Sequence, residues 1–180
     1  MSIFSFDASP PELAYGDASF FIGVQIEKDK YHGECTTFAR KLVAVGALVA
    51  LSPLGLDEIW FAMLKLLATH DFSERTWQQA LKTHPDLVKR YAVEIEQTHQ
   101  ELLALPYVVV IDVPTPHILG GLNLMKTYGL FPRDAIHASV TSLSGITNLI
   151  TTNRDYARVP EINVYTCNPE ALKLVAGKAT

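Results

Sequence analysis

Residues 107–111, Tyr-Val-Val-Val-Ile, form an unbroken apolar and largely β-branched run that Pro114 and Pro116 close. A run without polar alternation belongs to a strand buried on both faces, so the sequence predicts a parallel sheet with this strand in its middle. Shorter runs of the same character lie at Leu13-Ala14-Tyr15, Leu48–Leu51, 148–151 and 162–165. Between them the period changes to that of helices. Phe38, Leu42 and Val45 mark one over 34–44, and residues 52–58 read as a loop feeding another through Ile59, Met63, Leu66 and Leu67. Two more are expected over 118–128 and 132–143, with Gly129 and Gly145 as stop signals. Strands alternating with helices predict an α/β fold.

One stretch breaks the alternation. Residues 71–105 read as a helical pair: Ser73 is placed to cap a helix over 74–82, and Pro85 opens a second that reaches Leu103. Leu87, Tyr91, Ile95 and Leu102 form the second helix's apolar stripe. The expectation is a single domain over 1–180 with a helical insertion at about 69–106.

The 180 residues are 48% hydrophobic, enough for one substantial core, and the formal net charge of −4 excludes a broadly basic nucleic-acid footprint. Contact with nucleic acid would have to be local. Cys35 and Cys167 are the only cysteines and follow neither a zinc spacing nor a secreted disulfide framework. The longest apolar stretch, 42–51, is half the ~20 residues of a membrane span, and residues 1–11 lack the pattern of a signal peptide. A cytoplasmic protein with no membrane association is expected.

Four acidic segments recur where apolar runs break: Gly16-Asp17-Ala18-Ser19, Leu56-Asp57-Glu58, Arg133-Asp134-Ala135-Ile136-His137 and Thr151-Thr152-Asn153-Arg154-Asp155-Tyr156. In an open parallel sheet, groups at strand C-termini and at the following helix N-termini converge on one edge. Clustered carboxylates repel one another, and a divalent cation with oxygen ligands relieves that conflict. Magnesium or manganese chemistry on phosphodiesters follows as the expected function.

Each acid also has a local reading. Asp17 beside Gly16 suits a turn, Glu58 and Asp134 suit helix starts, and Asp155 suits a cap paired with Arg158. Those readings are independent, whereas one site accounts for all four. Arg133 and Arg154 flank the acids and could hold a phosphate or simply balance charge. His137, one helical turn from Asp134, is expected as a packed or hydrogen-bonded neighbour and not a ligand. The other histidines form no HxxxH pair, which argues against a zinc hydrolase. Gly120-Gly121 lacks the setting of a dinucleotide or phosphate loop. Ser19, two residues after Asp17, stands where an aspartate-nucleophile phosphatase needs a second acid.

Together the four segments resemble the PIN-domain family, in particular its VapC-type ribonuclease toxins. The segments 130–138 and 149–156 carry most of the likeness, which spans about 13–68 and 107–166. The resemblance implies a three-layer α/β/α sandwich around a mainly parallel sheet and metal-dependent cleavage of RNA. It further implies Asp17, Glu58 and Asp134 as the acidic core, completed by Asn153 and Asp155, with Ser19 and Thr151 as supporting hydrogen-bond donors. A homodimer and a small antitoxin protein are the partners it implies. Asn153 departs from the pattern, since an acid often stands there and an amide brings no charge. A binding or scaffolding module of the same fold, with weakened catalysis and the 71–105 helices as its partner surface, is the competing reading.

Overall fold

The computed structural model describes residues 2–176, and the side chains of 175 and 176 are outside the description. Six strands form one sheet, β1 (Ile3–Ser5), β2 (Leu13–Gly16), β3 (Leu48–Leu51), β4 (Val108–Val110), β5 (Asn148–Ile150) and β6 (Asn163–Thr166). Their spatial order is β1-β6-β5-β2-β3-β4, and every pairing is parallel. The helices are α1 (Ala18–Gln25), α2 (His32–Ala44), α3 (Pro53–Asp71), α4 (Trp77–Thr83), α5 (Pro85–Leu103), α6 (Thr115–Tyr128), α7 (Pro132–Leu143) and α8 (Pro169–Ala176), with a 3₁₀ turn at Arg154–Arg158.

Period-two alternation along each central strand splits the core into two layers. Ala14, Val49, Leu51, Ile150 and Tyr165 face a cluster completed by Phe20, Phe21, Phe38 and Leu42 of α1 and α2. Tyr15, Ala50, Leu149 and Val164 point the opposite way, against Ala135, Ala138 and Val140 of α7 and Tyr156 of the 3₁₀ turn. This is the three-layer α/β/α sandwich, with both faces of the sheet covered.

The expected central strand lies elsewhere. β4 forms an edge, pairing only with β3, and Val109 and Val110 are more than 40% exposed. An apolar run records that a strand avoids polar side chains, but its position in the sheet is set by crossover connections. Those place β2 between β3 and β5.

The 71–105 stretch does contain two helices, and α3 continues into it as far as Asp71. α4 begins at Trp77 with Thr76 at its cap, while Ser73 sits in the preceding turn and meets the Thr76 hydroxyl at 2.8 Å. Ala68, Trp77, Leu81 and Tyr91 build a small separate core between α3, α4 and α5. Leu102 and Ile95, further along α5, join the main core instead. β1 and α8 were not expected from the sequence.

Gly120 and Gly121 serve packing. A Cβ on Gly120 would stand 2.3 Å from the Ser139 hydroxyl, and one on Gly121 3.2 Å from the Ile136 backbone. The glycine pair lets α6 lie directly against α7, the helix that carries Asp134.

Candidate functional site

All six strands run the same way, so their C-terminal ends share one edge. The chain leaves β2 for β3 and β4 on one side, then returns to build β5 and β6 on the other. β2 and β5 thus flank a topological switch point, where side chains from distant segments meet in a crevice.

Asp17 occupies this point and is 4% exposed. It caps α1, with Oδ1 accepting from the Phe20 amide at 3.3 Å and from the Ser19 hydroxyl at 2.7 Å. Its Oδ2 accepts from the Thr151 hydroxyl at 2.8 Å, and its own amide donates to the Ile150 carbonyl at 3.2 Å. Thr151 Oγ1 also accepts from the Asn153 amide, and Ser19 Oγ accepts from the Thr152 amide. Ser19 and Thr151 therefore lock the ends of β2 and β5 together through the Asp17 carboxylate.

Burial raises the Asp17 pKa above its ordinary value, and the hydrogen bonds only partly offset it. Asp134, in the first turn of α7, is pushed up to about 6, first by burial and then by the nearby charges of Asp17 and Asp155. The Asn153 side-chain NH₂ donates to Asp134 Oδ1 at 3.1 Å. Asn153 Oδ1 is engaged by the Asp155 amide, so this residue caps the 3₁₀ turn and turns its donor toward the acids. Asp155 lies at the same turn and accepts from Arg158 at 2.8 Å.

Glu58 sits in the second turn of α3, because Pro53 already begins the helix and Ser52 caps it. The benefit of an acid in a first helical turn therefore does not explain Glu58. It is held by His137, whose Nε2 meets Glu58 Oε2 at 2.9 Å. The Tyr15 hydroxyl lies 2.6 Å from His137 Nδ1 and 2.6 Å from the Ser52 hydroxyl. Tyr15, Ser52 and His137 are at most 1% exposed, forming a buried polar chain that crosses from β2 to α7 and α3. His137 is thus the packed, hydrogen-bonded neighbour that the sequence suggests, whereas Tyr15 carries no sequence signal for a part in the site. Only the i, i+3 spacing of Asp134 and His137 pointed there.

Replacing His137 with leucine should cost about 1–3 kcal/mol, since it leaves buried hydroxyls under-satisfied and removes the anchor of Glu58. Urea denaturation of His137→Leu measures this, and an unchanged midpoint would contradict the role given to the chain.

The arginines are engaged. Arg133 reaches Asp57 at 3.3 Å and Glu58 at 3.7 Å, and Arg154 pairs with Glu170. Among the described residues no three His, Cys, Asp or Glu side chains converge as a formed metal cage. Each acid is turned to a hydrogen-bond or ion-pair partner. The donors still suit a hard divalent cation in kind, being carboxylates, with the Asp134 pKa raised by burial and by the charge of Asp17. The buried Tyr156 hydroxyl has no hydrogen-bond partner among the described residues and feels the charges of Asp17, Asp134 and Glu58.

The raised carboxyls set a pH dependence. A folded-state pKa of about 6 for Asp134, above the ordinary 3.8, means that the folded protein holds the proton longer than the unfolded chain. That stabilisation is complete below pH ~4 and is lost as pH rises through about 6. Allowing for solvent screening of a partly exposed group, the loss is about 1–2 kcal/mol. Denaturation of wild type and Asp134→Asn at pH 4.5 and 7.5 in a chelator reads it. The variant should gain on wild type at the higher pH, and parallel behaviour would refute the shift.

Solved structures share the fold. VapC20 of Mycobacterium tuberculosis, described as a toxin that cleaves the sarcin–ricin loop, superposes with a TM-score of 0.51 at 16% identity, over 82% of this chain and 95% of that one. A toxin–antitoxin complex from Klebsiella pneumoniae gives 0.53 at 18%, over 83% and 94%. VapBC2 of Rickettsia felis, bound to a DNA fragment from its promoter, gives 0.52 at 13%, over 84% and 96%. No curated protein matches the sequence. The family model of the PIN domain spans residues 14–162, from the strand before Asp17 to the turn after Asp155, and this protein belongs to the PIN-domain family.

Proposed function

We propose that the protein is a magnesium- or manganese-dependent endoribonuclease and the toxin of a toxin–antitoxin pair. One observation carries the reading: Asp17 is buried at the switch point with its carboxylate fixed by Ser19 and Thr151, and its charge helps raise the pKa of Asp134 from another element. Carboxylates kept close against their own repulsion suit a cationic ligand. Membership of the PIN-domain family and the shared fold with the two VapC-containing structures and the Klebsiella complex add to it.

In this reading Asp17, Glu58, Asp134 and Asp155 would hold the ion, and Asn153 serves through its side-chain oxygen, which caps the 3₁₀ turn, and through its NH₂ bond to Asp134. When bound, such an ion supplies Lewis-acid stabilisation of the charge that builds on the phosphate. Ser19 and Thr151 keep Asp17 in place, while His137 holds Glu58 toward the cleft. A carboxylate orients the attacking water. Arg133 and Arg154, released from their acidic partners, receive the RNA phosphates. We place a small antitoxin protein and a second copy of this chain as its partners.

Cleavage of a labelled RNA pool in magnesium, in manganese and in chelator tests the proposal. Wild type should cut with either metal, and Asp134→Asn should lose at least tenfold. Equal cutting in chelator would overturn it. The second reading, a binding module with weakened catalysis, is favoured by the orientation of Asn153, whose NH₂ and not its oxygen faces Asp134. Manganese titration followed by thermal melting separates the two, because only the nuclease reading requires the melting temperature to rise.

A further inference from the structure

The chain's two cysteines lie 132 positions apart in sequence and belong to the same packed cluster. Cys35, on α2, is fully buried against α1, where a Cβ added to Gly23 would stand 2.6 Å from its sulfur. Cys167, just after β6, packs against that cluster and is partly exposed, opening onto a surface cavity bordered by Gly33, Glu34 and Thr37 of α2. Both are free thiols. We infer that Cys35 and Cys167 are a thiol pair built to close into an intramolecular disulfide when the protein meets an oxidised small disulfide such as oxidised glutathione.

Burial fixes the order of events. The Cys167 thiolate attacks the small disulfide, forming a mixed disulfide and releasing one glutathione thiolate. Cys35 then loses its proton and attacks the Cys167 sulfur from inside the core, releasing the second glutathione. Two protein thiols become one disulfide, and the oxidant leaves as two reduced glutathiones. Cys167 lies beside Gly33, Glu34 and Thr37, the residues that flank Cys35 on α2, and the interaction of the two thiols lowers the Cys167 pKa and raises that of buried Cys35.

The bond would join α2 to the segment beside the proposed site. Asn168, the next residue after Cys167, donates to the Thr152 carbonyl at 2.8 Å and caps α8 by accepting from the Glu170 amide. A link at Cys167 therefore anchors the loop that follows β5 to the α1–α2 layer. The inference stands on the packing of the two thiols and does not depend on nuclease activity.

The test is to incubate the folded full-length protein with excess oxidised glutathione, quench with acid, alkylate under denaturing conditions, and measure intact and tryptic masses without reductant. Wild type should lose both free thiols, become lighter by two hydrogens, and yield linked peptides 31–40 and 159–173. Cys35→Ala, which leaves no unpaired hydroxyl in the apolar contact, should stop at a glutathionyl adduct on Cys167. Cys167→Ser should leave Cys35 unmodified. Wild type that keeps both thiols, or that accumulates the Cys167 adduct without the link, overturns the inference.

Discussion

Asp17→Asn is expected to lower RNA cleavage by at least a hundredfold while leaving the metal-free protein as stable as wild type, or more so, at neutral pH. The two effects have separate physical origins. Asparagine caps a helix as well as aspartate, so its oxygen keeps the bonds from Ser19 and the Phe20 amide. The new NH₂ takes the place of Oδ2 and meets Thr151, whose hydroxyl can turn to accept. Removing the charge relieves the desolvation that raises the Asp17 pKa and the repulsion that raises that of Asp134. What disappears is the buried negative charge that the proposed ion requires. Cleavage assays and urea melts on one preparation check both halves. An active variant would end the assignment of Asp17, and an inactive unfolded one would reduce it to a structural cap.

Phe38→Ala should be the most costly core truncation near the site. Phe38 is fully buried on α2, stacks on Phe6 at 4.3 Å with rings nearly parallel, and meets the edge of Phe20 at 6.4 Å. Tyr165 of β6 lies 6.1 Å away on another side. One ring thus fastens the N-terminal segment, α1, α2 and β6 in a single contact. Its loss should cost about 3–5 kcal/mol, a large share of the ~5–15 kcal/mol that stabilises an ordinary domain. In a chain of this size that lowers the melting temperature by roughly 6–20 °C. A loss under about 1 kcal/mol, measured by denaturant titration, would mean that the surrounding aromatics close the cavity.

Local signals in the sequence carried much of this fold. Leu48–Leu51 between Gly46 and Pro53, and α7 between Pro132 and the left-handed turn at Gly145, fall where periodicity and stop residues put them. Strand order did not follow, because Val108–Val110 reads alike whether it lies at the edge or in the centre. β1 escaped notice because three residues with mixed side chains give no period to detect, and it forms only through pairing with β6. At the site, Asp17, Glu58, Asp134 and Asp155 could be singled out because acids stand at breaks in apolar runs. The chain from Ser52 through Tyr15 and His137 to Glu58 could not. Its members come from three distant segments, and Tyr15, Ser52 and His137 taken alone look like ordinary core.

The bond from Thr151 to Asp17 spans 134 positions of sequence. A contact of such long range forms late, since the loop it closes is costly until the neighbouring pairings are in place. During synthesis the ribosome must release residues beyond 151 before β5 can dock beside β2. The proposed site therefore cannot assemble on a nascent chain until β5 has emerged, well after Asp17 itself has been made.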